Sequence, residues 1–177
     1  MAGPVVAAAV CLTSFDFSCR IDDSKKMTPA SRVKAFHEIF DKAHVGIGMI
    51  SETVIDRVNI LNASYLAMEA AVLDLLGRFS DAADSPHSLV TLLIDGNGFR
   101  STLPYRYKTI IGGDGQCLSI ACASIIAKVY RDRAMERYDQ IFPEYGFKQH
   151  KGYPTAGHRA AIRSHGLSAI HRQSFIT

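Results

Sequence analysis

Two aspartates, each following an apolar run and lying beside glycine, are the residues of this sequence best placed to do chemistry. Asp95 follows the run 92–94 and precedes Gly96, and Asp114 follows the glycine pair 112–113. An α/β fold brings the ends of neighbouring strands to one edge of a sheet, where such carboxylates converge. Their hard oxygen atoms suit Mg²⁺. Each aspartate alone also fits an Asx turn that closes a strand, and the spacing leaves both interpretations open.

Strand and helix patterns alternate around these aspartates and predict an α/β protein. Residues 2–12 form an almost unbroken run rich in Val and Ala, which is typical of a strand buried on both faces. Helical spacing predicts three helices, over residues 29–42, 59–77 and 118–140. The polar stretch 80–88 is predicted to be a surface loop. Further short strands are predicted at residues 45–51, 89–94 and 108–111.

Composition sets the broad class of the protein. A chain of 177 residues that is 47% hydrophobic fits one domain, and a formal charge of +3 permits a nucleic-acid partner without requiring one. The cysteines show no C-x-x-C spacing, and we expect all four to be reduced core thiols. They are Cys11, Cys19, Cys117 and Cys122. No apolar run approaches the roughly 20 residues of a membrane span, and no signal peptide is recognisable, so the sequence predicts a cytoplasmic protein without a membrane partner.

Seven short segments occur in an order and spacing that are specific as a set. They are Ala-Gly-Pro-Val-Val-Ala-Ala-Ala-Val at 2–10, Asp-Ser-Lys-Lys at 23–26, Leu-Ile-Asp-Gly at 93–96, Gly-Asp at 113–114, the helical segment 119–133, His-Lys-Gly-Tyr at 150–153 and His-Arg-Gln-Ser-Phe at 171–175. Together they closely resemble the ribonuclease HII family over the whole chain. The resemblance implies one monomeric domain, residues 1–177, with a ribonuclease H-like fold in which helices flank a central mixed sheet.

The resemblance also implies an activity and two site residues. The family cleaves the RNA strand of RNA–DNA hybrids, and it cuts at single ribonucleotides embedded in duplex DNA. Four acidic residues hold divalent ions, Mg²⁺ or Mn²⁺, that activate a water and stabilise the leaving 3′-oxygen. Asp95 matches the third acidic position and Asp114 the fourth. Asp132 lies between two arginines on a helix, and we expect it to pair with them rather than to bind metal.

Substrate contacts are predicted in three places. Tyr153 matches a family tyrosine that stacks on the deoxyribose next to the ribonucleotide, a task that suits its flat apolar face. Lys25 and Lys26 are candidates for contact with phosphates, although a solvated loop explains either lysine equally well. A basic segment near the end of the chain is a further candidate for backbone contacts, with no role in chemistry. It comprises His150, Lys151, His158 and Arg159.

The first two acidic positions of the family have no counterpart in this sequence. The family carries them in an Asp-Glu-Ala-Gly-Arg-Gly segment on its first strand, just before the Ala-Gly-Pro-Val-Val run, whereas here only Met1 precedes Ala2. The same segment supplies a turn that contacts the 2′-hydroxyl, the group that distinguishes RNA from DNA. Because metal affinity grows with ligand number and charge, we expect this chain to hold metal weakly and to be inactive or nearly so.

The origin of this departure and the function that the chain keeps both stay open. Met1 is an internal methionine of a longer enzyme, or the protein is a truncated relative of the family; the abrupt start on a core strand favours the first. A non-catalytic remnant that still binds RNA–DNA duplexes is the alternative function. After the enzyme and the binder, the remaining interpretation is a fragment that folds poorly, which would show as a non-cooperative melt.

Overall fold

Strands and helices alternate along the computed structural model, which describes residues 1–79 and 90–176. The longer elements are β1 Val5–Leu12, α1 Pro29–Lys42, β2 Ala43–Ile50, α2 Glu52–Gly77, β3 Thr91–Asp95, β4 Arg106–Ile110, α3 Leu118–Ile141, α4 Phe147–His150 and α5 Ala156–His165. Short 3₁₀ turns occupy Gly113–Gly115, Pro143–Tyr145 and Gln173–Phe175. The α/β class is as predicted. The loop predicted at 80–88 and the start of the strand predicted at 89–94 lie outside the described residues.

β1 and β2 form an antiparallel pair that α1 connects. Their register runs from Val5 opposite Ile50 to Leu12 opposite Ala43. α1 begins at Pro29, directly after Thr28, whose side chain accepts a hydrogen bond from a first-turn amide. This cap and the proline at the first helical position are the signals from which the sequence predicts the helix start.

α2 lies unusually close to β2 because both elements carry small residues where they meet. Ala63, Ala67 and Ala71 on α2 are fully buried. A Cβ atom built on Gly48 would lie 1.9 Å from the carbonyl oxygen of Ala67, and one on Gly46 would lie 2.2 Å from that of Ala71. Only glycine fits at these two strand positions, because any side chain would push the helix off the sheet.

α2 is broken at Asn59, the residue at which the sequence predicts its start. Asn59 has φ 66° and ψ 166°, and its side-chain oxygen accepts the amide of Asn62 at 3.0 Å. The predicted helix therefore begins where expected, with Asn59 capping it. The sequence analysis misses the preceding helical segment, which Ser51 caps by accepting the amide of Val54.

The strands pair in two sets of two. β3 and β4 are parallel, with Thr91 opposite Arg106 and Asp95 opposite Ile110, whereas β1 and β2 are antiparallel. Both pairing directions of a mixed sheet are thus present, but among the described residues no ladder joins the two pairs. α3 packs on β1 and also contacts β3, so the helix links the two pairs through side chains.

Two hydrophobic clusters hold the remaining elements together. The larger one joins α1, β2 and α3 through residues such as Ile39, Val45 and Ile125. The second forms where the end of α3 meets the C-terminal segment, and it includes Met135 and Phe147. The long helix α3 contributes to both clusters, so it connects the two parts of the core.

By length and composition alone, α2 is apolar enough to cross a membrane. The expectation that no segment approaches the size of a membrane span is therefore wrong for this helix. In the fold, α2 packs along both β1 and β2. Its fully buried alanines, which make this packing possible, account for part of that apolar composition.

All four cysteines are free, and they differ in exposure. Cys122 is fully buried, and burial raises the pKa of its thiol to about 12. Cys19 and Cys117 are half-buried, whereas Cys11 is exposed. The expectation of core thiols therefore holds for Cys122 and is wrong for Cys11, whose side chain is exposed on β1.

Candidate active site

The end of β3 presents Asp95 to solvent. The chain turns immediately afterwards at Gly96, which has φ 105° and donates its amide to the carbonyl of Ile110 on β4 at 2.9 Å. One carboxylate oxygen of Asp95 accepts the amide of Gly113 at 2.8 Å, and the side chain remains exposed. The carboxylate therefore keeps oxygen lone pairs available for a ligand.

Asp114 lies in a tight turn that includes Gly113, the residue whose amide donates to Asp95. Gly112 opens the turn in the left-handed region at φ 64°, and Gly113 is buried. A Cβ atom on Gly113 would lie 2.7 Å from Ile120 and 3.3 Å from the Asp95 carboxylate. The glycine pair thus brings the turn that contains Asp114 against the carboxylate of Asp95, shortly before α3 begins at Leu118.

This arrangement suits two ligands of a divalent cation. Both side chains offer hard carboxylate oxygens, and one hydrogen bond fixes the carboxylate of Asp95 relative to the turn that holds Asp114. Within residues 1–79 and 90–176, no group of three or more His, Cys, Asp and Glu side chains is placed to hold a metal ion. The two aspartates therefore fit part of a metal site and need further ligands to complete one.

Lys25 and Lys26 extend from a well-ordered turn. The carboxylate of Asp23 accepts the amide of Lys25 at 2.9 Å, and its carbonyl accepts that of Lys26 at 2.9 Å. The guanidinium of Arg32 donates to the carbonyls of Ser24 and Met27 at 2.8 and 2.5 Å. Both lysines are exposed while Ser24 is buried, so the turn is fixed and its charges face solvent.

The carboxylate of Glu38 on α1 is hydrogen-bonded to the loop that precedes the turn of Lys25 and Lys26. Its carboxylate accepts the amides of Ser18 and Cys19 at 2.5 and 3.2 Å and pairs with Lys42 at 2.9 Å. The hydrogen bond from Lys42, followed by that from Ser18, holds the pKa of Glu38 well below its ordinary value. The carboxylate is therefore ionised at neutral pH, and it stays bonded to both loop amides.

Tyr153 is exposed and lies beside two cations of α3. Its ring centroid is 5.9 Å from the Lys128 ammonium and 5.5 Å from the guanidinium carbon of Arg131, and 57% of the residue is accessible. Lys128 also pairs with Asp132 at 2.7 Å. Asp132 thus forms an ion pair, as predicted, but its partner is the lysine one turn earlier and not an adjacent arginine, because residues four apart share a helix face.

Most of the basic C-terminal segment is engaged within the protein. Lys151 pairs with Glu136 at 2.6 Å, and His150 bonds to the carbonyl of Tyr145. His158 is fully buried, so the prediction that it contacts a duplex backbone is wrong. The sequence shows a basic residue but not the direction it faces, and His158 faces the core from α5. Arg159 is exposed and stays a candidate.

Half-buried Arg131 and buried Arg172, which the sequence analysis does not single out, bind the residues just before β1. Arg131 donates to the carbonyls of Ala2 and Pro4, and Arg172 donates to those of Gly3 and Pro4. Burial, with the nearby charge of Arg131, lowers the pKa of Arg172 to about 10. Among the described residues, Nη1 of Arg131 is buried without a hydrogen-bond partner.

The predicted site residues thus fall into separate groups. Asp95 and the turn of Asp114 are in direct contact. Lys25 and Lys26 lie on the turn before α1, and Tyr153 lies over the middle of α3. Lys128 is ten residues after Leu118, about 15 Å along the helix. Among the described residues, no hydrogen bond, ion pair or ring contact joins either lysine or Tyr153 to the aspartates.

Comparison with known proteins identifies the family to which this chain belongs. The family model described as ribonuclease HII matches residues 1–177. The chain belongs to the ribonuclease HII family. The ribonuclease HII of Chlorobium phaeovibrioides is 44% identical over 181 residues, which cover 99% of this chain and 83% of that protein. The sequence resemblance is therefore confirmed over the whole chain.

Solved structures agree on the ribonuclease H-like fold. The ribonuclease HII of a PCNA:RNase HII complex from Archaeoglobus fulgidus matches with a TM-score of 0.71 at 21% identity, covering 99% of this chain and 89% of that one. Bst-RNase HIII, solved in complex with Mn²⁺, matches with a TM-score of 0.60 at 15% identity, covering 88% of this chain and 55% of that one. The ribonuclease HII family comprises metal-dependent endoribonucleases that act on RNA–DNA hybrids.

Proposed function

We propose that this protein cleaves the RNA strand of RNA–DNA hybrids and single ribonucleotides in duplex DNA, with Asp95 and Asp114 as two of the ligands of Mg²⁺ or Mn²⁺. The observation that carries the proposal is the 2.8 Å hydrogen bond from the amide of Gly113 to the carboxylate of Asp95, which holds the turn that contains Asp114 against the end of β3. When bound, the metal ions supply an activated water and charge for the leaving 3′-oxygen. The Mn²⁺ complex of Bst-RNase HIII supports the choice of ion.

The remaining predicted contacts give the substrate a path over the surface. Lys25 and Lys26, held outward by their fixed turn, neutralise backbone phosphates as mobile point charges. The exposed ring of Tyr153 packs on a sugar, while Lys128 and Arg131 beside it supply positive charge to the same strand. These groups bind and orient the duplex, and we assign no proton transfer to them.

We further propose that cleavage needs two more carboxylates, which the family carries on a strand ahead of the Ala-Gly-Pro-Val-Val run. The described residues offer no third ligand at Asp95 and Asp114. β1 and β3 each pair along one edge, and α3 packs against both strands. A strand inserted between β1 and β3 would join the two sheets and bring its acidic side chains to the edge that Asp95 occupies.

The alternative function is a binder of RNA–DNA duplexes that does not cut. The same shortage of ligands favours it, because a site with two carboxylates holds divalent ions weakly. A binder keeps the salt-dependent affinity that Lys25, Lys26 and Tyr153 provide and shows no metal-dependent cleavage.

Cleavage of a labelled DNA duplex with one embedded ribonucleotide tests the proposed function. In a version of the protein that begins with an added Asp-Glu-Ala-Gly-Arg-Gly strand, we expect metal-dependent cleavage that Asp95→Asn and Asp114→Asn each lower by at least about 100-fold, the scale on which loss of one pre-organised electrostatic group acts. Asp41→Asn, at an exposed carboxylate in the last turn of α1, is the matched control and should leave the rate unchanged. If all three variants cleave at the rate of the protein without these substitutions, neither aspartate is part of the site.

A further inference from the structure

Three histidines are buried or half-buried against the Tyr153 loop, and two of them form a chain of hydrogen bonds. The amide of Ser168 donates to Nδ1 of His171 at 2.9 Å. Nε2 of His171 lies 3.0 Å from Nε2 of His158, and Nδ1 of His158 lies 2.9 Å from the carbonyl oxygen of Tyr153. The chain therefore runs from one backbone amide to one backbone carbonyl through two imidazole rings.

Both ends of this chain fix where the protons are. An amide only donates, so Nδ1 of His171 accepts and the ring proton of His171 is on Nε2. That proton is donated to Nε2 of His158, so the proton of His158 is on Nδ1 and is donated to the carbonyl of Tyr153. A second proton on His158 would set two N–H groups against each other at 3.0 Å, and a second proton on His171 would face the amide of Ser168 at 2.9 Å. The geometry is satisfied only when both rings are neutral.

The surroundings favour the same neutral state. His158 is fully buried, and His171 is 3% exposed. Burial lowers the pKa of His158 to about 4 and also lowers that of His171. The ring of His150 stacks on His158 at 4.2 Å, and Tyr145 lies 5.0 Å from His171.

Neither of the rings that face the pair, His150 and Tyr145, carries a carboxylate that would stabilise a charged imidazole. The ring of His150 and the amino group of Met1 lie near the pair, and a positive charge on either group disfavours protonation of His158 and His171 further. Phe147 packs its ring on both histidines, with centroid distances of 5.5 and 5.6 Å, and excludes water from them.

The series of hydrogen bonds ends at the backbone carbonyl of Tyr153, whose side chain is exposed. Its carbonyl accepts both from His158 and from the amide of Thr155 at 2.8 Å, while its own amide donates to His150 at 2.8 Å. The two preceding residues, Lys151 and Gly152, have φ 50° and 78°. The amide and the carbonyl of Tyr153 are both hydrogen-bonded, and two residues with positive φ precede it. The direction in which its side chain leaves the backbone is therefore fixed.

We propose that the His158–His171 pair is a positioning device that fixes the backbone of Tyr153 and so sets the angle at which its ring meets a bound duplex. The proposal rests on the proposed function, in which Tyr153 contacts the substrate. His158 and His171 touch no substrate themselves and act through Tyr153. Nothing in the sequence indicates this role, because the two residues are separated by a helix and a loop.

The proton positions are tested first, by long-range ¹H–¹⁵N NMR of the imidazoles in the unmodified 177-residue protein at pH 7. We expect His158 as the neutral Nδ1–H tautomer and His171 as the neutral Nε2–H tautomer. A charged ring, or the opposite tautomer at either residue, would overturn the proposal. This measurement needs no variant, so it stands even where a substitution at a buried histidine prevents folding.

The action on Tyr153 is tested by affinity for a DNA duplex with one ribonucleotide, measured with EDTA present so that no strand is cut. We expect His171→Phe to weaken binding about fivefold through coupling with Tyr153, and His171→Gln, which keeps an N–H donor, to weaken it less than about twofold. In a Tyr153→Ala background, His171→Phe should cause no further loss. His37→Gln, at an exposed histidine of α1, is the matched control.

Two outcomes of the affinity measurement contradict the proposal in different ways. An equal loss from His171→Phe with and without the Tyr153 ring would show that the histidines act on the fold in general. If Tyr153→Ala alone leaves the affinity unchanged, the substrate contact assumed in the proposed function is wrong, and the positioning role falls with it. The NMR result separates this case from a failure of the hydrogen-bond chain itself.

Discussion

At the level of single residues, the proposed site rests on two carboxylates and one amide. Asp95 ends β3, Asp114 lies in a glycine turn, and the amide of Gly113 joins this turn to the carboxylate of Asp95. Each element of this contact has a physical reason in the sequence. Gly112 permits the left-handed backbone of the turn, and Gly113 leaves room for the Asp95 carboxylate and for Ile120.

Phosphate contacts by Lys25 and Lys26 are testable through the dependence of binding on salt. Replacing either lysine with alanine should lower affinity for an RNA–DNA hybrid and reduce the slope of log K against log salt by about 1, because one fewer counterion is released. Lys34→Ala, at an exposed lysine of α1, should leave the slope unchanged. Equal slopes for all variants would place both lysines in a solvated loop with no substrate contact.

Sequence alone predicts the residue types of the site but not their partners. The aspartates are recognisable because each follows an apolar run, which is a local signal. The cations beside Tyr153 are not, since Lys128 and Arg131 come from a helix more than twenty residues earlier. His158 looks like one more basic residue of the C-terminal segment, and only the packing of α5 shows that it is fully buried.

At the level of elements, the contact between α2 and β2 depends on glycine and alanine. Gly48→Ala would place a Cβ atom 1.9 Å from the carbonyl oxygen of Ala67, so helix and strand must separate. We expect this change to lower the free energy of unfolding by about 3 kcal/mol, measured by urea denaturation at unchanged m-value.

Gly157→Ala is the matched control for this substitution. Its Cβ atom would meet nothing within 4 Å on α5, so it should be neutral or stabilise the protein by up to about 1 kcal/mol. A loss of similar size in both variants would mean that alanine at Gly48 does not act through the contact with α2.

Element boundaries are largely predictable from caps and glycines. Thr28 and Pro29 mark the start of α1 correctly, and α3 begins at Leu118 as expected. The separation of the strands into two pairs is not predictable, because apolar runs show that strands exist but not which edges meet. The helical turns before Asn59 are missed because the break interrupts the apolar periodicity from which helices are recognised.

For the whole molecule, the buried histidine pair makes stability depend on pH. The folded-state pKa of His158 is about 4, below its ordinary value of 6.5, so the unfolded chain binds more protons between these values. The free energy of unfolding should be highest above about pH 6.5 and should fall as the pH drops towards 4.

Thermal melts between pH 7 and pH 4 measure this dependence. A variant with His158→Gln and His171→Gln should show a shallower fall than the unmodified protein, since it lacks the two buried groups that must be protonated on unfolding. Parallel curves for the two proteins would show that other groups govern the loss of stability.

At the scale of the whole molecule, the separation of the strands into two pairs and the small number of carboxylates at the proposed site have one common explanation. β1 and β3 are linked by α3 and not by a shared ladder, and the carboxylates at the end of β3 have no third partner among the described residues. Under the proposed function, we expect a strand with two acidic residues, paired between β1 and β3, to join the two ladders and to add ligands beside Asp95 and Asp114. The sheet and the metal site are therefore expected to be completed together.

The most direct test is metal-dependent cleavage of a DNA duplex with one ribonucleotide, comparing the 177-residue chain with a version that begins with an added Asp-Glu-Ala-Gly-Arg-Gly strand. We predict that the extended protein cuts at the ribonucleotide, that it loses this activity on Asp95→Asn, and that the 177-residue chain cuts weakly or not at all. Full cleavage by the shorter chain, or cleavage by the extended protein that survives Asp95→Asn, would contradict the account.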